Sequence, residues 1–155
     1  MRVAIGSDHR GVELRQRVIV FLASLGNDII EFGGKGNDAV DYPDIAADVA
    51  RQVSTGQCDR GVLFCGTGIG VSIAANKIHG IRAAVCHDQF TAEMSRRHND
   101  ANILCLSAER LPPEEVFEII RDWLAAEFEG GRHQRRIDKI SALESEQSRA
   151  DCDVD

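Results

Sequence analysis

Five short apolar runs, each followed by a longer amphipathic stretch, constrain this chain more than any other feature. Residues 2–6, 28–32, 61–64, 81–85 and 103–106 are largely apolar and rich in Val, Ile and Leu, and they read as strands. Residues 12–25, 43–54, 69–77, 89–97 and 112–128 read as the helices that follow them, with Gly26 closing the first. Strands of this composition belong in a parallel sheet covered on both faces, and parallel neighbours require right-handed crossovers. The alternation predicts an α/β fold: a Rossmann-like three-layer αβα sandwich with a five-stranded parallel sheet. At 155 residues the chain suits one domain with a core that needs neither disulfides nor metals. That domain is expected at residues 1–145, with a polar, flexible tail at 146–155.

Two segments fall outside the alternation. The loop at residues 33–44 is long, rich in glycine and contains Asp41-Tyr42-Pro43-Asp44, which predicts a lid or rim near a strand end. The other begins after Gly130-Gly131 and restarts as Arg132-His133-Gln134-Arg135-Arg136-Ile137. Ile137, Ile140 and Leu143 recur at helical intervals although the sandwich is already complete, so this extra C-terminal helix is expected to reach a partner subunit.

Charge and cysteine usage narrow the function. With 18 basic and 25 acidic residues the net charge is −7, which argues against general affinity for nucleic acid or an anionic membrane. Five cysteines without a Cys-x-x-Cys pair argue for reduced thiols and a cytoplasmic location. No apolar run approaches the ~20 residues that cross a bilayer. Met1 leads directly into a strand, so no signal peptide is expected. Five His and five Cys lie scattered without ligand spacing, and neither a metal nor another cofactor is expected.

The chemistry concentrates in Cys65-Gly66-Thr67-Gly68-Ile69-Gly70. Here a parallel strand ends and a helix begins, the place where open α/β sheets collect ligands and helix amides meet negative charge. Such amides favour the thiolate form of a cysteine, which makes Cys65 a candidate base or nucleophile. The alternative is a small buried residue that ends a core strand, as assumed for Cys86 and Cys105. The glycines let backbone N–H groups approach an oxyanion, and Thr67 adds a hydroxyl donor. The segment lacks the lysine of a P-loop, and Gly6-Ser7-Asp8-His9-Arg10-Gly11 lacks the dinucleotide fingerprint.

Other polar residues join this picture with bland alternatives beside them. Asp8 and His9 follow the first strand and belong on the rim that carries Cys65, although Asp8 equally suits a helix N-cap and His9 a solvated loop. His98-Asn99-Asp100 closes the fourth helix, where a histidine is often only a partner for the helix dipole. Arg132 and Arg136 are one turn apart and can grip one phosphate, although solvation is the commoner fate of surface arginines.

Taken together, Gly6-Ser7-Asp8-His9-x-Gly11, Asp41-Tyr42-Pro43, Cys65-Gly66-Thr67-Gly68-Ile69-Gly70 through Ala74-Ala75-Asn76-Lys77, His98-Asn99-Asp100-Ala101-Asn102 and Gly130-Gly131-Arg132-His133 resemble the type B ribose-5-phosphate isomerases. The resemblance spans roughly residues 1–145. It implies a phosphosugar isomerase domain that forms a homodimer or a dimer of dimers. It further implies interconversion of ribose 5-phosphate and ribulose 5-phosphate through a cis-enediolate, without metal or nucleotide. Cys65 would be the base, and Thr67 with the amides of Gly66, Gly68, Ile69 and Gly70 would hold the enediolate. His98 and Asp8 match the residues at ring opening, and Tyr42 and Asn99 those beside the sugar. His9, Arg110, Arg132 and Arg136 match phosphate contacts. In that family the helix of Arg132 and the segment of His98 reach a neighbouring subunit, so active sites would be shared between chains. A subgroup uses a Glu instead of the cysteine, and the corresponding position here is Val71. Arg10 departs from the small residue usual between His9 and Gly11. Isomerases of allose 6-phosphate or galactose 6-phosphate share the pattern and form the alternative, and a binding module without chemistry is the competing class.

Overall fold

The computed structural model describes residues 1–34, 36 and 40–152, with side chains described as far as residue 146 of the last helix. The elements are β1 (Arg2–Ser7), α1 (Val12–Ser24), β2 (Asp28–Phe32), α2 (Tyr42–Ser54), β3 (Arg60–Cys65), α3 (Ile69–Ala75), β4 (Ala83–Val85), α4 (Gln89–Asn99), β5 (Ile103–Ser107), α5 (Pro113–Ala125) and α6 (Arg132–Cys152). A 3-10 turn at His9–Gly11 joins β1 to α1. All strand pairs are parallel, in the order β2-β1-β3-β5-β4.

The sheet has two buried faces, as its apolar strands require. Val3, Ile5, Val62, Phe64, Leu104 and Leu106 alternate toward α1, α4 and α5, where Trp123 is wholly buried. The indole N–H of Trp123 donates to Ser95 Oγ at 3.1 Å, so its polar edge is satisfied. Ala4, Leu63, Cys65, Ile103 and Cys105 face α2 and α3 on the other side. Gly6 lets α2 approach closely there, because a Cβ would lie 2.8 Å from Ile45 and 2.9 Å from Val49. Burial of each large apolar side chain contributes about 1.5–3 kcal/mol, which offsets the ordering of the strands.

Some boundaries differ from those expected. β4 begins at Ala83 rather than residue 81, because side chains satisfy the backbone leading into it: Asn102 accepts from Arg82 N at 2.8 Å, and Asn76 binds both Ala83 N and Ala83 O. α5 ends at Ala125, where the backbone turns extended at Ala126. α6 runs through the polar stretch as far as Cys152. In the expected lid, residues 35 and 37–39 lie outside the described residues. Among the described residues no helix is long and apolar enough to cross a membrane.

The order of the strands decides where ligands can enter. α1 leaves β1 toward one face and α3 leaves β3 toward the other, so a crevice opens between the carboxyl ends of β1 and β3.

Candidate active site

Two residues stand at that crevice because of strand register. Ser7 pairs with Phe64, so Asp8 and Cys65 are the first residues beyond this pair, and Asp8 N donates to Phe64 O at 3.4 Å. Asp8 is buried, and its carboxylate accepts from Arg10 N at 2.9 Å, which makes it the cap of the 3-10 turn. His9 is exposed on the same rim.

The Cys65 loop is shaped around its sulfur. Gly68 N donates to Cys65 Sγ at 3.1 Å, a contact that strengthens when the sulfur carries charge. Cys65 retains 6% of its surface, whereas Cys105 retains none. Gly68 has φ +79°, and a Cβ there would lie 3.1–3.3 Å from the backbone of Leu106. Only glycine meets both conditions without cost. Thr67 is exposed, and its Oγ1 accepts from Ile69 N at 3.3 Å, which leaves the hydroxyl proton available to a ligand. Tyr42 closes the near side of α3: a Cβ on Gly70 would touch its ring at 2.8 Å.

Two further residues support this rim, and the sequence had not marked them as functional. Ser107 Oγ donates to Gly66 O at 2.6 Å and accepts from Glu109 N and Arg110 N. Arg110 itself is exposed beside the loop. Arg15 is wholly buried and binds Ser7 Oγ at 2.9 Å, Phe32 O at 3.0 Å, Gly34 O at 2.6 Å and the Glu31 carboxylate at 3.0 Å. It ties the end of β1 to the end of β2. A signal existed for Arg15, since Val18 and Leu22 follow it at inward-facing helical spacing. Arg10 and Glu109 form an ion pair at 2.6 Å beside Gly66.

The remaining predicted residues gather elsewhere. Gly61 pairs with Ile103 and Cys65 with Ser107, so the start of β5 and the Cys65 loop are separated by four strand residues, roughly 13 Å. His98 and Asn99 end α4 just before β5, at the amino edge of the sheet. Within one chain they stand at the opposite end from Cys65. The His98 ring stacks on His133 at 4.2 Å and 2° between planes, with Glu129 3.8 Å from one imidazole and 3.6 Å from the other. Arg132 Nε donates to His133 Nε2 at 3.3 Å, and Arg136 is exposed with no ion-pair partner among the described residues. Burial first, then the neighbouring His98 and Arg132, hold the His133 pKa below its ordinary value. Arg97 lowers that of Glu129 by donating to it at 2.7 Å.

His98, Glu129 and His133 bring their ligand atoms within 4.8 Å of one another, a convergence that sequence spacing did not show. The two rings lie flat on each other, so their nitrogen lone pairs run parallel rather than meet at a point. Arg132 occupies the acceptor nitrogen of His133, Arg97 holds Glu129 Oε1, and Glu129 Oε2 faces the two imidazoles. The cluster fits an ion-paired junction between α4 and α6. The two apolar residues beyond it divide: Ile137 is buried against its own chain, while Ile140 and Leu143 are exposed at 48% and 66%.

Comparison with known proteins bears on this geometry. Residues 3–140 match the family model described as Ribose/Galactose Isomerase. The chain belongs to that family. Ribose-5-phosphate isomerase B of Escherichia coli is 43% identical over 143 residues, which cover 92% of this chain and 96% of that one. D-erythrulose-4-phosphate isomerase of Pectobacterium atrosepticum is 38% identical over 149 residues, covering 95% and 97%. The structure of Clostridium thermocellum ribose-5-phosphate isomerase B aligns with a TM-score of 0.93 at 50% identity, covering 95% of this chain and 99% of that one. The expected fold and the expected isomerase class of this ribose/galactose isomerase family member are both met.

Proposed function

We propose that this protein interconverts ribose 5-phosphate and ribulose 5-phosphate. The observation that carries the proposal is Cys65 Sγ, held at 3.1 Å by Gly68 N–H at the β1/β3 crevice, with exposed Thr67 and buried Asp8 beside it. Asp8 assists opening of the furanose. Cys65 then takes the proton from C2 of the open aldose, and the electron pair of that C–H bond forms the enediol double bond while the carbonyl oxygen becomes negative. Thr67 and the loop amides stabilise that oxygen. The hydroxyl proton of O2 passes to the negative O1, the proton held by Cys65 returns to C1, O2 becomes the ketone carbonyl, and neither an electron acceptor nor a cofactor is required by the balance.

The phosphate calls for cations that the crevice supplies only in part. His9 and Arg110 stand on its rim, whereas His98, Asn99, Arg132 and Arg136 lie at the far end of their own sheet. For these to act on the same sugar, a second copy must present them, which supports a homo-oligomer with shared sites. Exposed Ile140 and Leu143 on α6 favour such contact.

The test uses chelator-treated protein in deuterated water, with phosphosugars of four, five and six carbons. Conversion of ribose 5-phosphate with deuterium entering at C1 of ribulose 5-phosphate, and on reversal at C2 of the recovered aldose, is the expected result. Binding without exchange would mean a phosphosugar-binding module, and preference for another chain length would reassign the substrate.

A further inference from the structure

We infer that Ser107 is a positioning residue that decides which edge of the Gly66–Thr67 peptide faces the substrate. The inference rests on the isomerase activity proposed above and concerns how its enediolate is held. Ser107 ends β5 with none of its surface exposed. Its hydroxyl is used to capacity. Oγ accepts from Glu109 N at 3.3 Å and Arg110 N at 3.1 Å, so both lone pairs are taken and the single proton is left for Gly66 O at 2.6 Å.

One hydroxyl proton thereby orients a whole peptide. The Gly66–Thr67 bond is trans, so its N–H points opposite to its C=O. With the oxygen drawn toward β5, the Thr67 N–H faces away from the sheet, on the exposed side of the loop. There it has no acceptor among the described residues. An unpaired donor beside Cys65, fixed before the reaction, is what a developing enediolate oxygen needs.

Little else holds that peptide in place. Gly66 has no side chain to resist rotation, and its nearest side-chain neighbours are the Arg10 guanidinium and Glu109 carboxylate, both at 3.4 Å from the position of a Cβ. These two form an exposed ion pair, which constrains geometry weakly. Without the hydroxyl, Gly66 O loses its partner and the peptide can turn over. It would then present a partly negative oxygen to the negative enediolate, where it had presented a donor.

The test compares Ser107→Ala and Ser107→Gly, which delete the hydroxyl without adding bulk, with Ser107→Thr, which keeps it. With ribose 5-phosphate, kcat should fall at least ~10-fold in the first two while KM stays within ~2-fold, and Ser107→Thr should recover kcat. A phosphosugar hydroxamate, an anionic planar mimic of the enediolate, should lose affinity in step with kcat/KM, while a phosphorylated sugar alcohol should not. A kcat for Ser107→Ala within ~2-fold of the parent overturns the inference, and so does equal weakening of both inhibitors. Failure of the parent to isomerise ribose 5-phosphate would refute the proposed activity instead, and the two inhibitors would still judge Ser107.

Discussion

Gly68→Ala adds one carbon where the chain has no room for it, and a second glycine supplies the control. A Cβ at a left-handed φ costs about 1–2 kcal/mol, offset by about 0.4–1 kcal/mol because alanine stiffens the unfolded chain. Gly26 has φ +78° and nothing within 4 Å of a Cβ, so Gly26→Ala measures that balance alone, about 0–1.6 kcal/mol. Gly68 has nearly the same φ, +79°, but its Cβ would meet Leu106 N, C and O at 3.1–3.3 Å. These atoms belong to a central strand and cannot yield, so the loop must move. Overpacking of this kind costs about 1–3 kcal/mol more, for a total of about 1–5 kcal/mol in Gly68→Ala. Urea denaturation of both variants measures the difference. The same movement draws Gly68 N–H away from Cys65 Sγ, so kcat on ribose 5-phosphate should fall by ~10-fold or more, while Gly26→Ala keeps parental turnover. Equal destabilisation of the two variants, or a Gly68→Ala protein with parental kcat, would refute the reasoning.

Other perturbations probe the remaining chemistry. Cys65→Ala should lower kcat by ~10²–10⁴ and abolish deuterium exchange at C2, and undiminished exchange would remove the thiol from the reaction. Burial pushes the Cys86 thiol up to about 11 and raises that of wholly buried Cys105 as well. Alkylation at neutral pH, mapped by mass spectrometry, should therefore reach Cys65 before either, and labelling of Cys86 at the same rate would contradict the burial argument. The depressed pKa of His133 means that the unfolded chain binds more protons than the folded one as pH falls through about 6.5. Stability should therefore be level above that pH and decline below it, with Glu129 lost only in the more acidic range of carboxylates. Denaturant midpoints stepped through pH should show the decline, and His133→Asn should flatten it; an unchanged slope in the variant would assign the decline to other groups.

Much of the site was legible because its local part is contiguous in sequence. Cys65 to Gly70 carry strand end, turn and helix start in six residues, and the glycine at Gly68 signals the left-handed turn that the structure contains. Tyr42 was visible through its motif, but its place over Gly70 depends on how α2 packs on α3. Ser107 was not legible, and of Arg15 only its inward-facing helical spacing was. Each acts through bonds to residues distant in sequence, Ser107 to Gly66 and Arg15 to Phe32 and Gly34, and no periodicity records such partners. The junction of His98, Glu129 and His133 escaped for the same reason, since its members come from α4, from α6 and from the segment that joins α5 to α6.

The amino-acid order by itself determined the layers of this protein. Apolar strands buried on both faces can persist only between helices, and the alternation left no other arrangement of comparable burial. Tertiary structure alone decided the strand order and register that set Asp8 beside Cys65 and left His98 and Arg132 at the opposite edge. Local propensity and hydrophobic period act over a few residues, whereas the distance between two strand ends depends on which strands pair and how far each is shifted.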